Sequence, residues 1–166
     1  MLQPTRRRTW AREGQTPIQK AWDRYDRLSG LGAVVLTPRQ HRLAFYFQVF
    51  RENIHTEEVT EFLRHMHRHF RRQVILVWDR WSVHKAARRY FQAHHPDWFQ
   101  FEALPGYSPE LNPVEQCWKH TKYDDLPNFI PDDLDHLETA ATQSLQDLHS
   151  NEDFLRSAFA YCQLPL

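Results

Sequence analysis

Residues 73–78, QVILVW, form a continuous apolar run rich in β-branched side chains, and an acid, Asp79, follows the run directly. Such a run is typical of a strand that is buried on both faces of a parallel or mixed sheet. Because open α/β sheets bind their ligands beyond the carboxyl ends of the strands, Asp79 occupies a candidate functional position. A single Asp at this place can also simply end the strand and cap the next helix, so that alternative stays open.

The rest of the chain predicts strands and helices in alternation. Residues 27–36 and 42–50 predict two antiparallel strands, and residues 98–104 predict a further short strand. A helix capped by Thr56 is predicted over residues 56–70, and its apolar stripe consists of Val59, Phe62, Leu63, Met66 and Phe70. Further helices are predicted over residues 82–93, 113–123, 132–148 and about 152–160. This order indicates an α/β domain with a mixed sheet.

Length and composition indicate one domain with a real core. The chain has 166 residues, of which 41% are hydrophobic, and contains no apolar run long enough to predict a membrane span. Its charged N-terminus lacks the apolar region of a signal peptide. The two cysteines, Cys117 and Cys162, have no disulfide or metal-binding spacing, which favours a reduced, cytoplasmic location.

The formal net charge of +0 conceals an uneven distribution of charge. Residues 1–27 carry seven Arg or Lys against three acids, and residues 62–95 carry eight against Asp79 alone. Residues 123–166 carry nine acids and one basic residue, Arg156. A basic first part is suited to contact with DNA phosphates, although an ordinary solvated surface explains the same pattern.

A second informative segment covers residues 104–122, LPGYSPELNPVEQCWKHTK. Asn112 fits the N-cap of a helix, and Glu115 then falls at the third helical position. There Glu115 either acts in catalysis or reaches back to the Asn112 N–H in a capping box. On a helix, Glu115 shares a face with Trp118 or Lys119 and with Lys122. A carboxylate beside two lysines suits a site that holds both a metal ion and a phosphate backbone.

Together these segments resemble a known family of enzymes. Between Asp79 and Glu115 lie 35 residues, His84 follows Asp79, and the second segment reads LPxYSPxLNPxExxWxxxK. This pattern is similar to the mariner-related bacterial insertion-sequence transposases of the DDE superfamily. Residues 4–17, PTRRRTWAREGQTP, also resemble the stretch that follows the first catalytic Asp of that family. The resemblance covers roughly residues 1–125.

The resemblance implies an RNase H-like mixed sheet flanked by helices, and metal-dependent cleavage and transfer of DNA strands. Three carboxylates would hold two Mg²⁺ (or Mn²⁺) ions, with Asp79 as the second acid and Glu115 as the third. His84 and Asn112 match motif positions and would support the site. The implied partners are DNA, as transposon ends and target, and a second copy or a full-length transposase. The candidate DNA-contacting residues are Arg6, Arg7, Arg8, Arg12, Lys119 and Lys122.

The chain departs from the family pattern at its N-terminus. No residue matches the first catalytic Asp, which in this family lies on a central first strand. We therefore expect residues 1–125 to form a catalytic domain that is incomplete at its N-terminus, and residues 126–166 to be its acidic helical extension. Without the first strand, the strands at 27–36 and 73–78 lose their shared neighbour, which predicts poor autonomous stability. The alternatives are a non-enzymatic transposase remnant that binds DNA or a full-length partner, and another RNase H-like nuclease.

Histidines and tryptophans add weaker signals. His65, His67 and His69 could bind a metal ion, but a solvated basic helix face is the favoured interpretation. His94 and His95 precede Pro96 at an expected helix end. The tryptophans are core candidates, except for Trp10, which lies in a basic run and could contact DNA.

Overall fold

The computed structural model of the protein describes residues 5, 8, 10–15, 27–38 and 42–164. Four strands are formed there: β1 (Ser29–Leu36), β2 (Leu43–Phe50), β3 (Val74–Trp78) and β4 (Phe99–Ala103). The α-helices are α1 (Thr56–Phe70), α2 (Ser82–His94), α3 (Pro113–His120), α4 (Leu134–His149) and α5 (Glu152–Tyr161). A 3₁₀ turn over Pro109–Leu111 precedes α3, and a π-helical turn over Thr121–Asp125 follows it. None of the helices in this described part combines the length and apolarity that crossing a bilayer requires.

The strands form two separate sheets of two strands each. β1 and β2 pair antiparallel, from Ser29 opposite Phe50 to Leu36 opposite Leu43. β3 and β4 pair parallel, from Val74 opposite Phe99 to Trp78 opposite Ala103. No strand among the described residues joins β1 to β3.

The β1–β2 sheet, which we call the covered sheet, has helices on both faces. Its first face packs against α3, α4 and α5 in a first core, whose buried residues are Leu28, Leu43, Phe45, Cys117, Leu137, Ala141, Leu145, Leu148 and Leu155. Its second face contributes Leu31 to a second core, whose other buried residues are Ile54, Val59, Phe62, Leu63, Met66, Ala87, Phe91 and Phe99. Since these come mainly from α1, α2 and β4, the second core connects both sheets.

The β3–β4 sheet, the half-covered sheet, has helices on one face only. Val74, Leu76 and Trp78 pack against the second core, whereas Ile75 and Val77 on the opposite face are 64% and 55% exposed. The prediction that this strand is buried on both faces is therefore wrong for the described part of the chain. The physical reason is that α3, α4 and α5 pack on the covered sheet and leave this face of β3 without a layer above it.

Helix α1 has the predicted bounds but a different cap. His55, not Thr56, is its N-cap, because a capping box requires the residue three positions before Glu58. The Glu58 carboxylate accepts the His55 backbone N–H at 2.8 Å. At the other end, Arg71 adopts a left-handed conformation with φ of 51°.

The histidines of α1 make contacts that a solvated face does not predict. His67 stacks on the Trp98 indole with the ring centroids 4.0 Å apart, and His95, at the end of α2, stacks on the same indole at 3.9 Å. His69 Nε2 lies 3.2 Å from the Tyr46 hydroxyl. His65, which is 3.6 Å from Glu61, and His69 are exposed, as the predicted solvated face requires. These rings therefore help to pack α1 against both sheets.

The segment after α3 is fixed by polar contacts. Ser144 Oγ of α4 lies 2.8 Å from Thr121 Oγ1 and 2.7 Å from an Asp125 carboxylate oxygen. Thr5 pairs with the same region, since its hydroxyl donates to the Lys122 carbonyl at 2.7 Å. The π-helical turn is thereby tied both to α4 and to the start of the described chain.

Candidate active site

Asp79 follows β3 directly, and its side chain is 56% exposed. Its Oδ1 atom accepts the Trp81 backbone N–H at 2.9 Å and lies 2.7 Å from His84 Nδ1. The alternative interpretation is thus right in part, because Asp79 organises the turn that leads into α2. The other carboxylate oxygen, Oδ2, has no hydrogen-bond partner among the described residues.

His84 is held in its orientation by two indoles. Its ring stacks on Trp78 at 4.7 Å with an angle of 7° between the planes, and Trp81 approaches it edge-on at 5.2 Å. Because the imidazole is fixed on both sides, its Nδ1 atom holds the Asp79 carboxylate in a defined direction. Trp81 itself is exposed, in contrast to the expectation that it is a core residue.

Glu115 lies in the first turn of α3, and its side chain is half-buried. The predicted N-cap is correct, since Asn112 Oδ1 accepts the Val114 N–H at 3.1 Å. The capping-box interpretation of Glu115 is wrong, because the Asn112 N–H already donates to the Pro109 carbonyl at 3.1 Å. The 3₁₀ turn before α3 therefore leaves the Glu115 carboxylate available for another role.

Helix α3 lies very close to β1 because two glycines face it. A Cβ atom on Gly30 would come within 2.9 Å of Trp118 Cη2. A Cβ atom on Gly32 would lie 2.8 Å from Trp118 Cζ2 and 3.1 Å from Val114 Cγ1. Trp118 therefore points into the covered sheet, with its ring edge-on to Phe45 at 5.7 Å. Sequence reasoning missed the two glycines, although their spacing of two on one strand was visible.

The predicted DNA-contacting residues have different surroundings. Arg8 and Arg12 are exposed, as is Trp10, whereas Arg6 and Arg7 lie outside the described residues. Lys119 is exposed, and Lys122 is half-buried with its ammonium 5.3 Å from the centre of the Tyr123 ring.

A set of cations on α2 and at the position after Asp79 was not singled out from the sequence. Its members are exposed, have no ion-pair partner within the described part of the chain, and are Arg80, Lys85, Arg88 and Arg89. Three of them lie on α2 at spacings of three and four, so they share one side of that helix. By contrast, Arg64 and Arg68 are paired with Glu61 on α1. The signal that could have found this set is the helical spacing within the basic stretch 62–95.

The described residues bring some candidate residues together and not others. Asp79 and His84 are in direct contact. Glu115 is not grouped with this pair: the described residues contain no cluster of three or more His, Cys, Asp or Glu side chains that could hold a metal ion. Asp79 belongs to the half-covered sheet and Glu115 to a helix of the covered sheet, which are the two halves that no described strand connects.

Comparison with known proteins gives two findings. The profile of a family described as DDE superfamily endonuclease matches residues 1–138. The structure is also similar to a chain in the crystal structure of the Mos1 strand transfer complex, with a TM-score of 0.55 and 16% sequence identity. That match covers 98% of this chain and 48% of the other, so this chain spans about half the length of its structural relative. No curated protein sequence matches. The structural likeness confirms the predicted RNase H-like α/β fold.

Proposed function

Because this chain belongs to the DDE superfamily endonuclease family, we propose that it is the catalytic domain of a mariner-related DNA transposase. Its activity is the metal-dependent cleavage and transfer of DNA strands, and its partners are transposon ends and target DNA. The single observation that carries this proposal is the Asp79–His84 pair at the carboxyl end of β3. A fixed, exposed carboxylate at that edge of a sheet is suited to a ligand site.

The donor chemistry of the site fits Mg²⁺ or Mn²⁺. Both ions prefer carboxylate oxygens and retain some of their water. Asp79 keeps Oδ2 available, and the 3₁₀ turn frees the Glu115 carboxylate from capping. Asp79 and Glu115 would hold such ions, whose chemistry would be activation of the attacking oxygen and stabilisation of the leaving oxygen.

The chain itself would orient the acid and bind the DNA. His84 and Trp81 hold one oxygen of Asp79, so that the carboxylate keeps its direction. Exposed cations on and before α2, at positions 80, 85, 88 and 89, would contact phosphates near the acid. Lys119 and Lys122 would do the same beside Glu115, and Arg8 and Arg12 on the N-terminal segment.

We further propose that Asp79 and Glu115 act with a third carboxylate, which the described residues do not supply. The observation behind this is the pair of separate sheets, with no described strand between β1 and β3. On this proposal the 166-residue chain does not cleave DNA without a partner that supplies that carboxylate. We also propose that the acidic segment 126–166 forms one domain with residues 1–125, and the packing of α4 and α5 against β2 in the first core supports this. A second copy or a full-length transposase is the proposed protein partner.

The alternative function is a non-catalytic transposase remnant that binds DNA. It is favoured by the unpaired cations at Arg80 and on α2, combined with the lack of a three-residue metal cluster in the described ranges. Both functions predict DNA binding, so they differ in metal binding and in turnover.

Metal binding is the first test. We expect Mn²⁺ to broaden the NMR signals of the Asp79 and Glu115 amides in the full chain, and Asp79→Asn to weaken the broadening at both. Glu110→Gln is the matched control, because Glu110 is an exposed acid in the adjacent 3₁₀ turn. Broadening that is equal in Asp79→Asn, Glu115→Gln and the unchanged chain would contradict the proposed metal site.

Nicking of supercoiled plasmid with Mg²⁺ or Mn²⁺ is the second test. We expect the unchanged 166-residue chain to nick the plasmid no more than its Asp79→Ala and Glu115→Ala variants do. Strong nicking that both variants abolish would support the transposase and refute the need for a third acid. DNA binding without any response to Mn²⁺ would favour the remnant.

DNA contact is tested by salt dependence. Each lost phosphate contact lowers the slope of log affinity against log salt by about 0.9 on duplex DNA. The double variant Lys85→Gln/Arg88→Gln should therefore reduce this slope, whereas Arg42→Gln, an exposed arginine beside the covered sheet, should not. Equal slopes for all three proteins would remove α2 from the DNA interface.

A further inference from the structure

Gly30 and Gly32 lie on the same face of β1, since alternate residues of a strand point to the same side. The six-membered ring of Trp118 occupies the space that side chains at these two positions would take. The nearest atoms to a Cβ on Gly30 all belong to Trp118, at 2.9, 3.2 and 3.5 Å. The indole therefore rests directly on the backbone of the strand.

This contact determines where α3 lies. Val114 and Trp118 are four residues apart and both face β1, and Cys117 between them is fully buried. Phe45 of β2 borders the space that the indole occupies on β1, which we call the seat of Trp118, and its ring centroid is 5.7 Å from that of the indole. Since Glu115 directly follows Val114, the height and rotation of α3 on the sheet fix the direction of its carboxylate.

We propose that Gly30 and Gly32 are positioning residues for Glu115, which act through the seat of Trp118 on β1. The proposal rests on the proposed function, because it assigns Glu115 to the metal. A methyl group on Gly30 would force the indole away by about 0.5 Å, from 2.9 Å to an ordinary contact of 3.4 Å. Because Trp118 and Glu115 lie on the same helix, a displacement of the indole that moves or turns α3 also changes the direction of the Glu115 carboxylate.

The test uses Mn²⁺ as the probe and the full chain as the protein. Broadening of the Glu115 amide is measured relative to that of Asp79, which lies on the other sheet. In Gly30→Ala we expect this ratio to fall, with broadening at Asp79 retained. Gly106→Ala is the matched control, because a Cβ there meets nothing within 4 Å.

A rescue variant separates positioning from stability. Trp118→Phe shortens the ring that meets the new methyl group, so Gly30→Ala/Trp118→Phe should regain the ratio of the unchanged chain. Its stability should stay lower, because a buried ring has been reduced in size. Val59→Ala, which weakens the second core away from α3, should lower stability without changing the ratio.

Each outcome decides the matter. An unchanged ratio in a folded Gly30→Ala protein would overturn the positioning role. If Gly30→Ala does not fold, the double variant decides, because a reduced ratio in that protein would also overturn the role. If Glu115→Gln leaves the broadening of the unchanged chain intact, the proposed metal site itself is wrong, and that result is distinct from a failure of the glycine contact.

Discussion

The two sheets of this protein are built from similar apolar strands but are covered differently. The covered sheet has α3, α4 and α5 on one face and α1 on the other, and its Phe45 is fully buried. The half-covered sheet has only the second core beneath it, and Ile75 and Val77 remain open on its other face. The difference shows that an apolar strand is not by itself a buried strand; a second layer must also reach it.

The same difference divides the candidate active site. Glu115 stands on a helix that is pressed against the covered sheet, so its position depends on tight packing. Asp79 stands at the open end of the half-covered sheet, so its position depends on polar and ring contacts with Trp81 and His84. Changes in the two halves should therefore have effects of different size and kind.

The largest expected difference between the halves is in stability. Phe45→Ala should lower the free energy of unfolding by about 3–5 kcal/mol, because it leaves a cavity in the first core. Val77→Ala in β3 should change it by no more than about 0.5 kcal/mol, because the side chain is already exposed. Urea unfolding of both variants measures this. Equal losses would mean that the open face of β3 is covered in solution.

A second prediction uses pH, and it concerns the covered half. Burial raises the pKa of the Cys117 thiol from 9.0 to about 12. Above pH 9 the thiol of the unfolded chain therefore ionises while that of the folded chain does not. The stabilisation that comes from keeping this thiol neutral should be fully present below pH 9. Above pH 9 the free energy of unfolding should fall by at most about 1.4 kcal/mol per pH unit.

Urea midpoints between pH 8 and 10.5 test this effect against Cys117→Ala. Other groups titrate in both proteins, so the difference between them isolates the thiol. A loss in the unchanged chain that is no steeper than that in Cys117→Ala would show that the thiol is not held neutral by the first core.

The third prediction concerns the hydroxyl contact between α4 and the π-helical turn. Ser144→Ala should cost about 1–3 kcal/mol, because Thr121 is fully buried and loses its partner. Ser157→Ala is the control, since Ser157 is exposed and bonds only within α5. Thermal melting of the two variants compares them, and a loss in Ser157→Ala as large as in Ser144→Ala would argue against the buried contact.

The smallest effect is expected at the start of α1, the helix that packs in the core shared by both sheets. Hydrogen bonds from the backbone N–H of His55 and of Glu58 itself lower the pKa of the Glu58 carboxyl. The stabilisation of the folded chain by the ionised Glu58 carboxylate is therefore present above pH 4.5, the ordinary pKa of this group. It is lost as the pH falls through the lowered pKa of the folded chain.

Circular dichroism between pH 3 and 6 measures this contribution. Glu58→Ala should lose the acid-dependent part of helix stability, whereas Glu57→Ala, the neighbouring acid in the same turn, should keep it. Hydrogen exchange should show both sheets weakened equally in Glu58→Ala. Weakening of only one sheet would mean that α1 does not couple them.

Much of the fold follows from the sequence because local periodicity specifies it. The bounds of α1 were predicted to the residue, since Val59, Phe62, Leu63 and Met66 repeat at helical spacing. The antiparallel pairing of β1 and β2 was likewise predicted correctly. The N-cap of α3 at Asn112 follows from the proline after it.

The errors lie where distant parts of the chain decide the outcome. The apolar run of β3 does not reveal that its second face lacks a helix, because α3, α4 and α5 could in principle have packed there. The capping role of Glu115 failed because the turn at Pro109 took the same N–H. For the site, the family resemblance placed His84 near Asp79, but it could not reveal the Trp78 and Trp81 rings that hold the imidazole.

The close approach of Trp118 to β1 also has a consequence for sequence variation. With an indole at position 118, positions 30 and 32 have no room for a side chain. Among chains that share this fold, residues at these positions should therefore change together, with larger residues on the strand only where the helix carries a smaller ring. The summed side-chain volume at positions 30, 32 and 118 would then be conserved, even where the individual residues differ.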